Sequence, residues 1–293
     1  MATFLAVVFA LLSAVSFAVA WVAQQRAASA VPDEEARGLR LILRLIRRPV
    51  WWAGTVGDTA AFVLQAVALG FGSLLLVQPL IVTSLLFALP LAARFGGARP
   101  SRTDLGWAAL LAVALGVFLA VGRPTAGVDR AGLRDWAPTG LTILGLLVVC
   151  IALASARRGR VRALLLACAT GLAYGAVAAL TKTVVVLLGL GLVPLLTAWE
   201  TYALVVAVVG GTLLQQSAFQ AGDLTASLPA VTVGEPVVAA VIGLTVFGER
   251  LRANGPEWVL IGVLVAVMVV ATVMLARSSA RPAPSPTPEP AGP

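Results

Sequence analysis

The sequence predicts an all-α integral membrane protein that crosses the bilayer about nine times, built from two repeats of inverted topology. Three observations carry that prediction. The chain is 60% hydrophobic and 12% charged, with a mean hydropathy of +0.98. A soluble domain has no use for so much apolar surface, whereas spans of roughly 20 apolar residues use it in full. Two blocks of the chain match one another. Gln65 lies 150 positions before Gln215, Ala68 before Ala218, Gly72 before Gly222 and Pro79 before Pro229, and a slip of two residues then brings Phe95-Gly96 onto Phe247-Gly248. Nearly every arginine stands in a short connection between apolar stretches, where cations set orientation.

In order, the spans are expected at roughly 3–23, 51–70, 73–93, 105–122, 138–155, 163–182, 200–220, 224–247 and 257–276. Helix is dictated throughout, because lipid offers the backbone no hydrogen-bond partners. Trp21, Trp51, Trp52, Trp107, Trp136, Trp199 and Trp258 fall at expected span ends, as an interfacial belt requires. The domain is a single transporter-like unit over 1–276. Repeat 1 covers about 3–122, an extra helix 138–155, and repeat 2 about 163–276. Residues 3–23 lack the charged n-region of a signal peptide and are read as the first span. Between spans 1 and 2, Leu39, Leu43 and Ile46 alternate with Arg40, Arg44 and Arg47, which suits a short amphipathic surface helix. The segment Val184–Leu196 is apolar but too short to span; it either extends the sixth helix or forms a re-entrant or surface piece. Residues 277–293 are proline-rich and expected to be disordered.

The net charge of +8 reads as topology signal and contact with anionic lipid rather than nucleic-acid binding. With the N-terminus outside, 15 of the 21 cations lie on the inner side, so the chain is expected N-out and C-in, in a plasma (inner) membrane. Span 2 and its copy, span 7, then run in opposite directions, which is an inverted repeat. The sequence has no histidine, which removes the commonest general base and metal ligand. Cys150 and Cys168 have no metal spacing and are expected to pack in the core. No phosphate-binding Gly-rich loop is present. An enzyme is therefore not expected, nor is a cofactor or a bound metal.

Polar residues inside spans are costly and mark function by default. Asp58 lies early in span 2 and Glu235 near the middle of span 8, where Pro236 removes a helix donor and frees a carbonyl near Thr232. Both acids are candidates for ion coupling, with structural hydrogen bonding to a neighbouring helix as the alternative. Gln65, Gln215, Gln216 and Tyr174 are candidates for binding a polar solute. For the glutamines, interhelical hydrogen bonding is the alternative reading. Ser13, Ser16 and Gln78 are further cavity candidates. Lys182, Glu200 and Asp223 sit at expected span ends, where side chains reach the interface at little cost. Gly171, Gly175, Gly210 and Gly211 are expected to let helices approach closely.

Gly234-Glu235-Pro236, an apolar run, Phe247-Gly248-Glu249-Arg250-Leu251 and a further apolar span with Gly262 together resemble the second repeat of EamA-like members of the drug/metabolite transporter superfamily. In the first half, Trp51-Trp52-Ala53-Gly54, Gly57-Asp58 and Val77-Gln78-Pro79-Leu80, with Thr181-Lys182 later, are similar to the NIPA-type magnesium transporters, a nine-span branch. The likeness covers most of residues 1–276. Departures are Gln78 in place of threonine, Gly97 in place of the glutamate after the first Phe-Gly, and no glutamate in the first span. The resemblance implies a secondary transporter that moves a small polar metabolite or drug-like molecule by alternating access, with membrane lipid as its surroundings. Its second implication is a magnesium or other divalent-cation transporter, in which Asp58 and Glu235 would meet the metal.

The cation count predicts the sidedness of the C-terminal tail. A cysteine placed in residues 281–293 of a cysteine-free chain is expected to resist membrane-impermeant maleimide in intact cells and to label after permeabilisation. Labelling in intact cells would put the tail outside and reverse the assignment.

Overall fold

A computed structural model describes residues 1–29, 49–96, 101–221 and 224–279. Among these, nine helices are long and apolar enough to cross a membrane, and the protein is an all-α, multi-pass membrane protein. The elements are α1 (Ala2–Ser29), α2 (Pro49–Phe71), α3 (Leu74–Val82), α4 (Ser84–Gly96), α5 (Arg102–Gly122), β1 (Pro124–Thr125), α6 (Leu133–Ser155), α7 (Gly159–Leu190), α8 (Leu192–Thr197), α9 (Trp199–Ala221), α10 (Leu224–Thr245), β2 (Arg250–Leu251) and α11 (Glu257–Ser279). The amphipathic stretch around 39–47, the tail beyond 279 and Asp223 lie outside the described residues.

The duplication seen in side chains recurs in the order of elements: α2 is followed by α3, and α9, which carries the matched Gln215, is followed by α10. Packing repeats as well. α1 lies against α2 and against α3–α4, while α7 lies against α9 and α10. Contacts of α2 with α7, α3 with α10 and α5 with α11 join the halves. α6 leans mainly on α7 at the margin, with most of its side chains exposed, as suits a lipid-facing helix.

The third span is a single crossing made of two helices. Pro79 lacks the N–H that would bond the carbonyl of Leu75. One turn on, Thr83 separates α3 from α4 and its Oγ1 donates to the Leu80 carbonyl at 2.6 Å. The sixth span is longer than expected. α7 has 32 residues, about 48 Å at 1.5 Å per residue, against a hydrocarbon core of about 30 Å. It absorbs the first half of the awkward apolar segment. Gly191, at φ 114°, then turns the chain into the short exposed α8. No tenth crossing forms there.

This length corrects one expectation. Lys182 is not at a span end but two turns inside α7, and only 3% exposed. Its Nζ donates to Glu249 Oε1 at 2.7 Å and stands 4.8 Å from the centre of the Phe247 ring. Glu249 reaches this position because Gly248, at φ 64°, turns the chain back after α10. Its carboxylate also accepts from the first two amides of α3, Leu74 N at 2.8 Å and Leu75 N at 3.0 Å. The next amide, Leu76 N, donates to Ser73 Oγ at 3.2 Å, and Val77 N to the Ser73 carbonyl at 3.0 Å. The amides of Leu74, Leu75 and Leu76, which the first turn leaves open, are thereby satisfied, and Val77 begins the helical ladder.

A lid of loop covers the same end. Val128 N donates to the Phe247 carbonyl at 2.8 Å, and β1 pairs antiparallel with β2. A Cβ on Gly127 would stand 1.9 Å from the Phe247 oxygen, so only glycine fits. Trp136 is 6% exposed, edge-on to Phe247 and Trp199; it is core rather than interfacial belt. Glu200 is 1% exposed rather than at a free interface. It accepts from Arg130 Nε at 2.8 Å and Nη2 at 3.2 Å, and this carboxylate raises the Arg130 pKa above its ordinary value. Other corrections are small. Cys168 is exposed and Cys150 half-buried, so neither is a core residue, and Gly210 has open space around it.

Removing one partner of a buried ion pair costs about 3–5 kcal/mol. Glu249→Ala and Lys182→Ala are each expected to lower the unfolding temperature steeply in detergent. Lys182→Met/Glu249→Gln, which removes both charges, is expected to lower it much less. A loss for the double variant equal to the sum of the two single losses would show that the two charges do not depend on one another.

Candidate functional site

The closest approach of α7 and α10 sets the site. A Cβ on Gly171 would lie 2.9 Å from the Gly234 Cα, and one on Gly175 2.5 Å from the Val238 Cβ. The two helices therefore touch through backbone, as small residues permit. Glu235 follows Gly234 and lies near the middle of α10. Pro236 comes next and, having no N–H, leaves the Thr232 carbonyl without its helical donor. Thr232 Oγ1 is turned back to the Leu228 carbonyl, 2.9 Å away.

Four helices bring polar side chains to this crossing. From α2, the buried Gln65 carboxamide comes within electrostatic range of the half-buried Glu235 carboxyl. From α7, Tyr174 follows Gly171 by one turn and faces α9. Its hydroxyl donates to Gln215 Oε1 at 3.0 Å and lies 3.5 Å from Thr212 Oγ1. Gly211 makes room for the ring, since a Cβ there would stand 2.8 Å from it. Tyr174 is also within electrostatic range of both the Glu235 and Asp58 carboxyl groups. Thus Gln65, Glu235, Tyr174 and Gln215, one from each of α2, α10, α7 and α9, gather around one helix crossing, with Tyr174 bonded to Gln215 and Gln65 beside Glu235. The half-buried Asp58 lies within electrostatic range of Tyr174. Gln216 is exposed, about 100° around α9 from Gln215, and stands apart from the group.

Such a cluster offers an acid that can exchange a proton or face a cation, a phenol donor, and two carboxamides able to donate and accept. Among the described residues no group of three or more His, Cys, Asp or Glu could hold a metal ion. Of the lesser candidates, Ser13 is buried and its Oγ donates to the Ala61 carbonyl at 2.7 Å, tying α1 to α2. Ser16 is half-buried. Gln78 is 2% exposed, and its Nε2 has no hydrogen-bond partner within the protein.

Two charged pairs were not foreseen from the residues. The signal for Lys182–Glu249 was present: Lys182 is the one lysine in the chain, and Glu249 stands where the first repeat has Gly97. Neither fact names the partner, because 67 residues separate the two. For Arg130–Glu200 the sequence carries no signal beyond two opposite charges near span ends.

No family model matches the chain, and no solved structure matches it. It is similar to an uncharacterized protein of Corynebacterium glutamicum, 40% identical over 260 residues that cover 88% of this chain and 90% of the relative. At that identity and coverage the chain belongs to the same family as the Corynebacterium protein.

Proposed function

We propose that the protein is a secondary transporter of the drug/metabolite superfamily kind, moving a small polar metabolite or drug-like molecule across the plasma membrane by alternating access. The observation that carries this reading is the polar cluster around Glu235. An acid in the middle of a membrane helix is expensive unless it faces a cavity or a partner. Here it has one amide neighbour, a proline-loosened helix and the Tyr174–Gln215 pair close by, at the meeting of duplicated halves. Sites at the junction of repeats, on interrupted helices, are where such transporters bind. In this reading Gln65, Tyr174 and Gln215 hold the solute, and Glu235 carries the coupling proton or cation. Asp58 is the second acid. Transport rather than catalysis fits a cluster without an activated nucleophile.

The test is flux in proteoliposomes over Mg²⁺, amino acids and organic cations, with and without a pH gradient. For a coupled solute, Glu235→Gln is expected to lose the response to the gradient, with flux falling at least about fivefold, the low end of ordinary coupling. Extraction and monodispersity should stay near those of the parent. A Gln variant that transports with unchanged pH dependence would make Glu235 a structural hydrogen-bonding group. If Asp58→Asn alone abolishes Mg²⁺ flux, the divalent-cation reading replaces the metabolite one.

A further inference from the structure

We infer that the Glu249 carboxylate is a latch that closes one end of the bundle and is released when that end opens to water. The inference rests on the transport reading only for the reason the end would open. Three observations point to it.

The first is connectivity. Glu249 follows α10 and binds two elements at once, the N-terminus of α3 at Leu74 and Leu75 and the side chain of Lys182 on α7. α3 belongs to the first repeat, α7 and α10 to the second. One side chain thus pins the junction of the halves, at the end of the bundle where α2 gives way to α3.

The second is polar groups left without partners. A buried polar atom with no hydrogen bond is costly and calls for an explanation. Among the described residues three buried side-chain atoms find none within the protein: Gln78 Nε2, Thr183 Oγ1 and Trp136 Nε1. All three flank the latch. Gln78 lies one turn beyond Leu74 and Leu75 on α3, Thr183 follows Lys182, and the Trp136 ring meets the Phe247 ring with 6.0 Å between centres. Groups that are buried and unpaired when the end is closed gain water when it opens. A purely structural seal has no need of three of them in one place.

The third is asymmetry. Inverted repeats exchange roles as such a protein turns from one side to the other. The residue after the second Phe-Gly is Glu249, and after the first it is Gly97. A glycine has no carboxylate to offer, so the repeat pattern supplies the latch at one end alone. The latch then sets the resting state, closed on the side of Glu249.

Reporter labelling tests this without a known solute. In a chain carrying Cys150→Ser and Cys168→Ser, Thr183→Cys places a thiol of similar size beside Lys182. Its rate of modification by a membrane-impermeant methanethiosulfonate is measured in sealed proteoliposomes of known orientation. With the latch intact the rate should be slow. Adding Glu249→Gln should raise it at least tenfold, from the Glu249 side only. Lys182→Met/Glu249→Gln, which leaves no uncompensated charge, should do the same if the single variant does not fold. Leu69→Ala serves as a matched control, since Leu69 is 1% exposed in the same core but makes no latch bond. Fast labelling of the latch variants with slow labelling of Leu69→Ala supports the latch. Slow labelling of the latch variants, or equal acceleration by Leu69→Ala, overturns it. A protein that labels as expected but moves none of the solutes tested keeps the latch and loses the transport reading.

Discussion

A carboxylate can be buried in a membrane bundle only if something replaces the water it gives up, a cost of several kcal/mol for each ion. Glu249 has that replacement in full. Its two oxygens receive two backbone amides and one ammonium, and the positive end of the α3 dipole adds to the same side of the balance. Lys182 in turn has the carboxylate at 2.7 Å and the Phe247 ring beneath it. Each group is tolerable because of the others. Without Glu249 the start of α3 would hold two open amides and α7 a bare ammonium. The order of this end, including the Gly127–Phe247 contact and the β1–β2 ribbon, is built around that one side chain.

The same constraint explains why the fold was readable and the charged pairs were not. Spans follow from composition, because lipid leaves the backbone no choice but helix. The repeat follows from matched residues such as Gln65 and Gln215, and the packing of the two halves reproduces its pattern. Where the sequence placed Lys182 and Glu200 at cheap positions, it used the local rule that long side chains reach the interface. That rule holds for a helix that ends where hydrophobicity ends. α7 instead continues to Leu190, and loop residues 123–132 fold over the end and bury what would otherwise be interfacial. Trp136 was misplaced for the same reason. Burial at a span end depends on which loop covers it, and that is tertiary information.

The central residues were legible to a different degree. Gln65, Gln215, Tyr174 and Glu235 stand out because polar groups in apolar runs are few. That four helices bring them around the Gly171–Gly234 crossing could be guessed only in part, from the pairing of Gln65 with Gln215. Nothing in the spacing says that Gln65 stands beside Glu235 while Gln215 bonds Tyr174. The repeat pairs the two glutamines with each other; the fold pairs each with a residue of the second half. Gln216, the neighbour of Gln215, shows how little separates a cluster residue from an exposed one: a single step along a helix.

The cluster and the charged end share two helices. α7 carries Gly171, Tyr174, Gly175 and Lys182 at intervals that keep them near one face. α10 meets that face at Gly234 and Val238 and, past its end, through Glu249. From Gly171 to Lys182 is 11 residues, about 16 Å along the helix axis. At Gly171 the seam is backbone against backbone, and at Gly175 the α7 backbone meets the Val238 side chain. From Pro236 to Thr245 α10 is continuous helix, and Gly248 then turns the chain to Glu249. A shift of that segment against α7 reaches the ion pair, and an intact ion pair resists it. In the transport reading, that mechanical link connects occupancy of the centre to closure of the end, and it needs no signal beyond two helices in direct contact.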